Sequence, residues 1–178
     1  MPGKIGFGLK EMSLLGQAME VAEERVSELF RLSDTAWRRC PYEVRTLHEL
    51  QPREVSPVAL AQVFKMRRPP AGGRLRAKDF FRICLQDHNL LGLVRREGQG
   101  ELLLPLLTYV MAHELVHVVR FSSFQHLFEA SESEMAREEA RVHAATAKAL
   151  SRVKMAGLER VVGLYDLYGA AEPGPGWC

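Results

Sequence analysis

A short stretch between Tyr109 and Phe121 carries residue types that bind metal ions. It contains the pattern His-Glu-x-x-His, formed by His113, Glu114 and His117. On a helix, two residues four apart project from one face, so both imidazoles can reach one metal ion. Zinc accepts neutral imidazole nitrogens, and a catalytic zinc site combines three protein ligands with an open position for water. Glu114 would stand beside the metal without binding it, which suits a base that takes a proton from that water.

The surroundings of this pattern favour a metal site over a chance match. The residues from Leu102 to Ala112 are almost continuously apolar, and most residues from 115 to 121 continue the run. A helix that is apolar on all sides is buried, and imidazoles or a carboxylate are costly to bury unless they are paired or bind a metal. The alternative is a core helix whose two histidines are satisfied by hydrogen bonds, and we prefer the metal site.

Two histidines do not complete a zinc site, so a third ligand must lie elsewhere in the chain. The metzincin class places Gly and His at the third and sixth positions after the second histidine. Arg120 and Ser123 stand there in this chain, which excludes that class. The remaining common solution is a glutamate on a following helix.

The helix predicted from about 134 to 155 offers two candidates for this ligand. With Val142 at the centre of its apolar face, Glu138 lies roughly 40° to one side and Glu139 roughly 60° to the other. His143 follows Glu139 by four residues on the same side, where it could orient a metal-binding imidazole or contact a substrate. Glu138 instead shares its side with charged residues of a solvated edge. We therefore favour Glu139 as the third ligand and keep Glu138 as the alternative.

With these residues the sequence resembles the gluzincins, zinc peptidases in which His-Glu-x-x-His is followed by a glutamate on a downstream helix. The small size of the chain and the hairpin predicted before the helix with the histidines are also similar to minimal gluzincins and ImmA/IrrE-type domains. The resemblance covers roughly residues 80 to 155, and it departs from the family at His143, where Asp or Asn is common. The residues that carry it are His113, Glu114, His117, Glu139 and His143.

The resemblance implies a fold and an activity. The expected fold class is α+β, a mostly helical zincin-like domain with a small β-sheet or hairpin before the metal-binding helix and the glutamate helix antiparallel to that helix. The expected activity is hydrolysis of peptide bonds with Zn²⁺ as cofactor, Glu114 as the base and a peptide or protein as substrate. The resemblance also implies that an edge strand holds this substrate in extended form.

Periodicity and start signals predict the remaining elements. Ser56-Pro57 is a helix-start signal, with Ser as the cap and Pro in the first turn. The predicted elements are a long amphipathic helix over 9–39, a short helix over 58–66, a hairpin of two strands over 80–85 and 90–94, the two helices around the metal site, and a helical segment over 158–168.

These elements suggest an N-terminal amphipathic helix (1–40), a metal-binding domain (41–168) and a disordered tail (169–178). The apolar stripe of the N-terminal helix needs a partner, which is either the domain itself or a second copy of the helix. Self-association through this helix is therefore one expectation.

Composition limits the classes of partner. The net charge is only +2, and the basic residues around the loop near residue 70 are interpreted as solvated flanks rather than a phosphate-binding patch, so no nucleic acid is expected. Three widely spaced cysteines without a CxxC pattern suggest a reducing compartment. The apolar run before the His-Glu-x-x-His pattern is too short to span a bilayer and leads into His and Glu, so no membrane segment is expected. The expected location is the cytoplasm.

Three hypotheses about function follow from these observations. The first is a zinc metallopeptidase, in which Glu114 activates water. The second is a gluzincin-like domain that binds zinc but acts as a regulatory or interaction module. The third is a helical protein with a purely structural zinc, which would need four ligands and would not need an acidic residue at position 114.

Overall fold

The computed structural model describes residues 5–69, 78–123 and 132–168. Within these residues the chain has six α-helices and one three-stranded sheet, which confirms the predicted α+β class. The helices are α1 (Leu9–Phe30), α2 (Asp34–Arg39), α3 (Asp87–Arg96), α4 (Leu103–Ser122), α5 (Glu132–Leu150) and α6 (Leu158–Tyr168). The strands are β1 (Tyr42–Arg45), β2 (Ala61–Arg68) and β3 (Lys78–Leu85).

Helix α4 is the centre of the structure and carries the His-Glu-x-x-His pattern. All of its residues are buried except Leu104, Arg120 and Ser122, as expected for a helix that is apolar on every side. It is the one helix among the described residues that is long and apolar enough to cross a membrane, and 94% of that window is buried inside the protein. Such burial is typical of the core helix of a soluble protein.

The N-terminal helix α1 lies along α4 and shares its hydrophobic core. Its buried positions are Leu15, Ala18, Ala22 and Val26, which follow the three-four spacing of a single stripe. The two alanines on this stripe have no exposed surface, and their small side chains let the two helices approach closely. The partner of the apolar stripe is therefore α4 of the same chain.

The predicted single helix over 9–39 is wrong in one respect, because the chain divides it into α1 and α2. Arg31 adopts a left-handed conformation with φ of 54°, and the Leu32 N–H then closes the end of α1 by bonding the Ser27 carbonyl at 2.9 Å. Ser33 starts the next helix, since its hydroxyl accepts from the backbone N–H of Ala36.

The predicted helix over 58–66 is also wrong, because most of this segment belongs to β2. Ser56 does act as a cap, since its hydroxyl accepts from the backbone N–H groups of Val58 and Ala59, but it closes a turn that no helix follows. From Ala61 the chain pairs antiparallel with β3 instead. Backbone pairing with a neighbouring strand outweighs the local helix-start signal here.

The sheet has the order β1-β3-β2, with β1 parallel and β2 antiparallel to the central strand β3. The predicted strand over 80–85 is confirmed within β3. The predicted strand over 90–94 is wrong, because these residues lie in α3, where Leu90 and Val94 are buried one turn apart. The antiparallel strand pair that precedes α4 is therefore formed by β2 and β3.

Helices α5 and α6 follow α4. The predicted helix over 134–155 corresponds to α5, which ends five residues earlier, and the predicted helical segment over 158–168 corresponds to α6. The connector between α4 and α5 and the tail over 169–178 fall largely outside the described residues.

Candidate metal centre

Helices α4 and α5 run antiparallel, and their facing sides carry the predicted metal-binding residues. Contacts between them pair Tyr109 with His143, His113 with Glu139, and Arg120 with Glu138, so residue numbers rise along one helix as they fall along the other. The antiparallel arrangement expected for the two metal-binding helices is therefore present.

Three side chains from these two helices converge on one point. His113 Nε2 lies 3.0 Å from Glu139 Oε1, and His117 Nε2 lies 3.3 Å from Glu139 Oε2. The two imidazole Nε2 atoms are 3.2 Å from each other. Glu139 thus stands between the histidines, with one carboxylate oxygen towards each ring.

A fourth side chain, His143, lies on the same cluster. Its Nε2 is 3.1 Å from Glu139 Oε1, and its Nδ1 shares a hydrogen bond of 2.8 Å with the hydroxyl group of Tyr109. The sequence suggested that His143 orients a metal-binding imidazole, but the contacts of its ring nitrogens are with Glu139 and Tyr109. His143 contacts the carboxylate of Glu139 instead.

The distances among these donor atoms fit a shared metal ion. Zinc binds imidazole nitrogen and carboxylate oxygen at about 2.0–2.2 Å, which places neighbouring donors of a tetrahedral site roughly 3.3–3.6 Å apart. The separations between His113, His117 and Glu139 span 3.0–3.3 Å, so a small outward movement of the donors would make room for the ion. Two imidazoles and a carboxylate are also the donor types that zinc takes in hydrolytic sites.

Burial and the contacts among the donors together set their charge states. Burial lowers the pKa of His113 to about 4, which keeps its ring in the neutral form that a metal binds. Burial would also lower the pKa of His117, but its hydrogen bond and charge attraction to Glu139 raise it on balance. For Glu139, burial would raise the pKa, but the three histidines in contact with its carboxylate outweigh burial and hold the pKa well below its usual range. The carboxylate is therefore ionised and able to bind a cation.

Glu114 is buried next to this cluster. Desolvation is the main cause that raises the pKa of its carboxyl group to about 7, and repulsion from Glu139 adds to the effect. A carboxylate in this environment is a stronger base than one in water, and its pKa is matched to proton transfer at neutral pH. The role of base that the sequence suggests for Glu114 stays a prediction.

Glu138 does not face the cluster. Both of its oxygens are taken by the Arg120 guanidinium, which donates from Nε to Oε1 and from Nη2 to Oε2. Arg141 lies 3.5 Å from Oε2. The expectation that Glu138 belongs to a solvated edge is wrong, since it is buried. Glu138 thus faces a guanidinium and Glu139 faces two histidines, so the geometry favours Glu139 over Glu138 as the third ligand, and the choice stays a prediction.

Aromatic rings form one wall of the cluster. Tyr165 of α6 packs against Tyr109 with ring centroids 4.4 Å apart and ring planes tilted by 40°, and its ring centroid lies 6.0 Å from that of His113. The role of Tyr109 was not recognised from the sequence, although the signal is present. Tyr109 precedes His113 by four residues, so it lies on the same face of α4 as both histidines.

Comparisons with protein-family models, with curated proteins and with solved structures found no match to this chain.

Proposed function

We propose that this protein is a zinc-dependent metallopeptidase with a gluzincin-like centre. The metal ligands in this proposal are His113, His117 and Glu139. The observation that supports it is the convergence of three donor atoms from two antiparallel helices, with separations close to those around one ion. The motif, the buried base and the ionised third donor are consistent with this function.

In this proposal the metal ligands and Glu114 have different roles in hydrolysis. When bound, zinc supplies a Lewis acid, which polarises a carbonyl group and acidifies water. His113 and His117 would bind the metal as neutral imidazoles, and the negative charge of Glu139 would balance part of the charge of the metal. Glu114 accepts the proton of the attacking water, which its buried carboxylate does more readily than an exposed one, and then transfers it to the leaving amine. The proposed substrate is a peptide or protein.

A metal-binding measurement comes first in testing this proposal. Purified protein should contain one zinc per chain, and His117→Ala should lose it on dialysis, because each ligand supplies a large share of the affinity. The control is His88→Ala, which removes a histidine that contacts the Ser56 carbonyl rather than the cluster. A variant of His117 that keeps full zinc would refute the site.

A second measurement tests the chemistry. Glu114→Gln should keep zinc and fold but lose hydrolysis of a diverse peptide library, since an amide cannot accept the proton. Glu101→Gln, an exposed glutamate in the turn before α4, is the matched control and should keep full activity. Activity that survives in Glu114→Gln would assign the base to another residue.

One observation favours a second candidate, a zinc-binding regulatory module with little or no catalysis. His143 brings a fourth donor atom to the cluster, and a zinc site with four protein ligands is typically structural. Zinc at one per chain, together with no cleavage of any library peptide by the wild-type protein, would support this candidate over the peptidase.

A further inference from the structure

His143 has a ring nitrogen that the three-ligand centre does not explain. Its Nε2 is buried and makes no hydrogen bond, although it lies only 3.1 Å from Glu139 Oε1. A buried polar atom without a partner is costly, and this one points at a cluster of metal-binding donors. Together with the donors of His113 and Glu139, it belongs to a group whose ligand atoms all lie within 4.8 Å of one another.

Tyr109 holds the other side of the same ring. The Tyr109 hydroxyl and His143 Nδ1 are 2.8 Å apart, and Tyr109 is itself buried on α4. A neutral imidazole carries one proton. When that proton is on Nδ1 and donated to the tyrosine oxygen, Nε2 presents a bare lone pair to the cluster. Metal-binding histidines commonly donate their second ring N–H to a fixed acceptor in this way.

We propose that His143 is itself a metal ligand, so that the centre binds its ion through three imidazoles and one carboxylate. This inference rests on the proposed zinc function and extends it. The distance from His143 Nε2 to Glu139 Oε1 is the same, within a few tenths of an ångström, as those between the donors of His113, His117 and Glu139. Tyr109 is the residue that orients the added ligand.

A fourth protein ligand would change how the centre works. A site with four protein donors is closed, whereas a hydrolytic site keeps one position for water. If His143 binds the metal, hydrolysis would require its release, because Glu114 acts on a water in the open position. A releasable fourth ligand would explain why a four-ligand site and a buried base, Glu114, occur in the same cluster.

The competing interpretation is that His143 only orients Glu139. Affinity does not separate the two, because the loss of such an outer partner also lowers metal affinity 10–100-fold. The number of imidazoles on the metal does separate them. We would load the full-length protein with cadmium, a spectroscopic substitute for zinc, and count the histidines whose ring protons correlate with the metal by NMR.

Three histidines should correlate with cadmium in the wild-type protein and two in His143→Gln. Tyr109→Phe should keep three but bind the metal more weakly. His88→Gln is the control and should match the wild type. If the wild type and His143→Gln both show two histidines, the inference is overturned. Should His143→Gln fail to fold by circular dichroism, the wild-type count alone decides, because two histidines there refute the fourth ligand.

Failure of this inference is distinct from failure of the proposed function. A wild-type protein that binds neither zinc nor cadmium would refute the metal centre as a whole. A wild-type protein that binds one zinc per chain, but shows two metal-bound histidines, would refute only the role of His143.

Discussion

The two neighbouring glutamates of α5 should lose different properties when each is replaced by alanine. Glu139 lies between two histidines, whereas Glu138 forms a bidentate ion pair with Arg120. Glu139→Ala should therefore abolish tight zinc binding. Glu138→Ala should leave zinc binding intact and destabilise the fold instead.

The size of each effect follows from burial. The side chains of Arg120 and Glu138 are 15% and 5% exposed, so the pair is largely desolvated. Breaking a buried pair on one side costs about 3–5 kcal/mol, and the residual exposure of Arg120 favours the lower end, about 3 kcal/mol. At about 2–4 °C per kcal/mol for a chain of this size, the melting temperature should fall by about 6–12 °C. For Glu139→Ala, zinc affinity should fall more than about 100-fold, beyond the loss of an outer partner.

The assay combines zinc titration with thermal unfolding of the metal-free proteins. Arg141→Ala is the matched control, because Arg141 also contacts Glu138 but its side chain is 64% exposed. An exposed ion pair contributes about 1 kcal/mol or less, so this variant should unfold close to the wild type. The reasoning is refuted if Glu138→Ala loses zinc while Glu139→Ala keeps it, or if Glu138→Ala melts within about 2 °C of the wild type, which is less than 1 kcal/mol at this chain length.

Three further predictions concern the scaffold. Leu115→Ala, at a position with no exposed surface, should lower the free energy of unfolding by about 2–5 kcal/mol in urea titrations. Gly163→Ala should stabilise α6 by about 1 kcal/mol, since nothing lies within 4 Å of the added Cβ, whereas Gly157→Ala should destabilise, because φ there is +82° and the Cβ would lie 2.9 Å from a leucine side chain. Burial would raise the pKa of Glu54, but bonds from the Gln51 backbone and from Arg82 lower it on balance. In the unfolded chain Glu54 therefore takes up its proton at a higher pH than in the folded protein. The ionised carboxylate stabilises the fold above the ordinary pKa of glutamate, and this stabilisation is lost as the pH falls through the lower pKa of the folded state. Glu54→Gln should therefore show a shallower loss of unfolding free energy from pH 7 to 3 than the wild type, and equal slopes would contradict the assignment.

The sequence determined the helix that carries the centre. An almost continuous apolar run defines a buried helix whatever it packs against, and the spacing of His113 and His117 places both rings on one face by helix geometry alone. The apolar stripe on α1 can be predicted from the sequence for the same reason. These features depend on the local period of the chain, which needs no knowledge of the neighbours.

Tertiary structure decided the identity of the short segments. Residues 58–66 and 90–94 are too short for periodicity to separate helix from strand. The first became a strand because β3 offers backbone partners along its length. The second became a helix because Leu90 and Val94 can then bury on the same side.

The choice between the two glutamates was also made by tertiary contacts. Glu138 and Glu139 flank the apolar face of α5 at similar angles, so helix geometry alone leaves both within reach of α4. Arg120 on the facing helix donates two hydrogen bonds from its guanidinium to Glu138. His113 and His117 of the same helix contact Glu139. The relative rotation and register of two packed helices decide such a contact, and neither quantity is encoded in the periodicity of one helix.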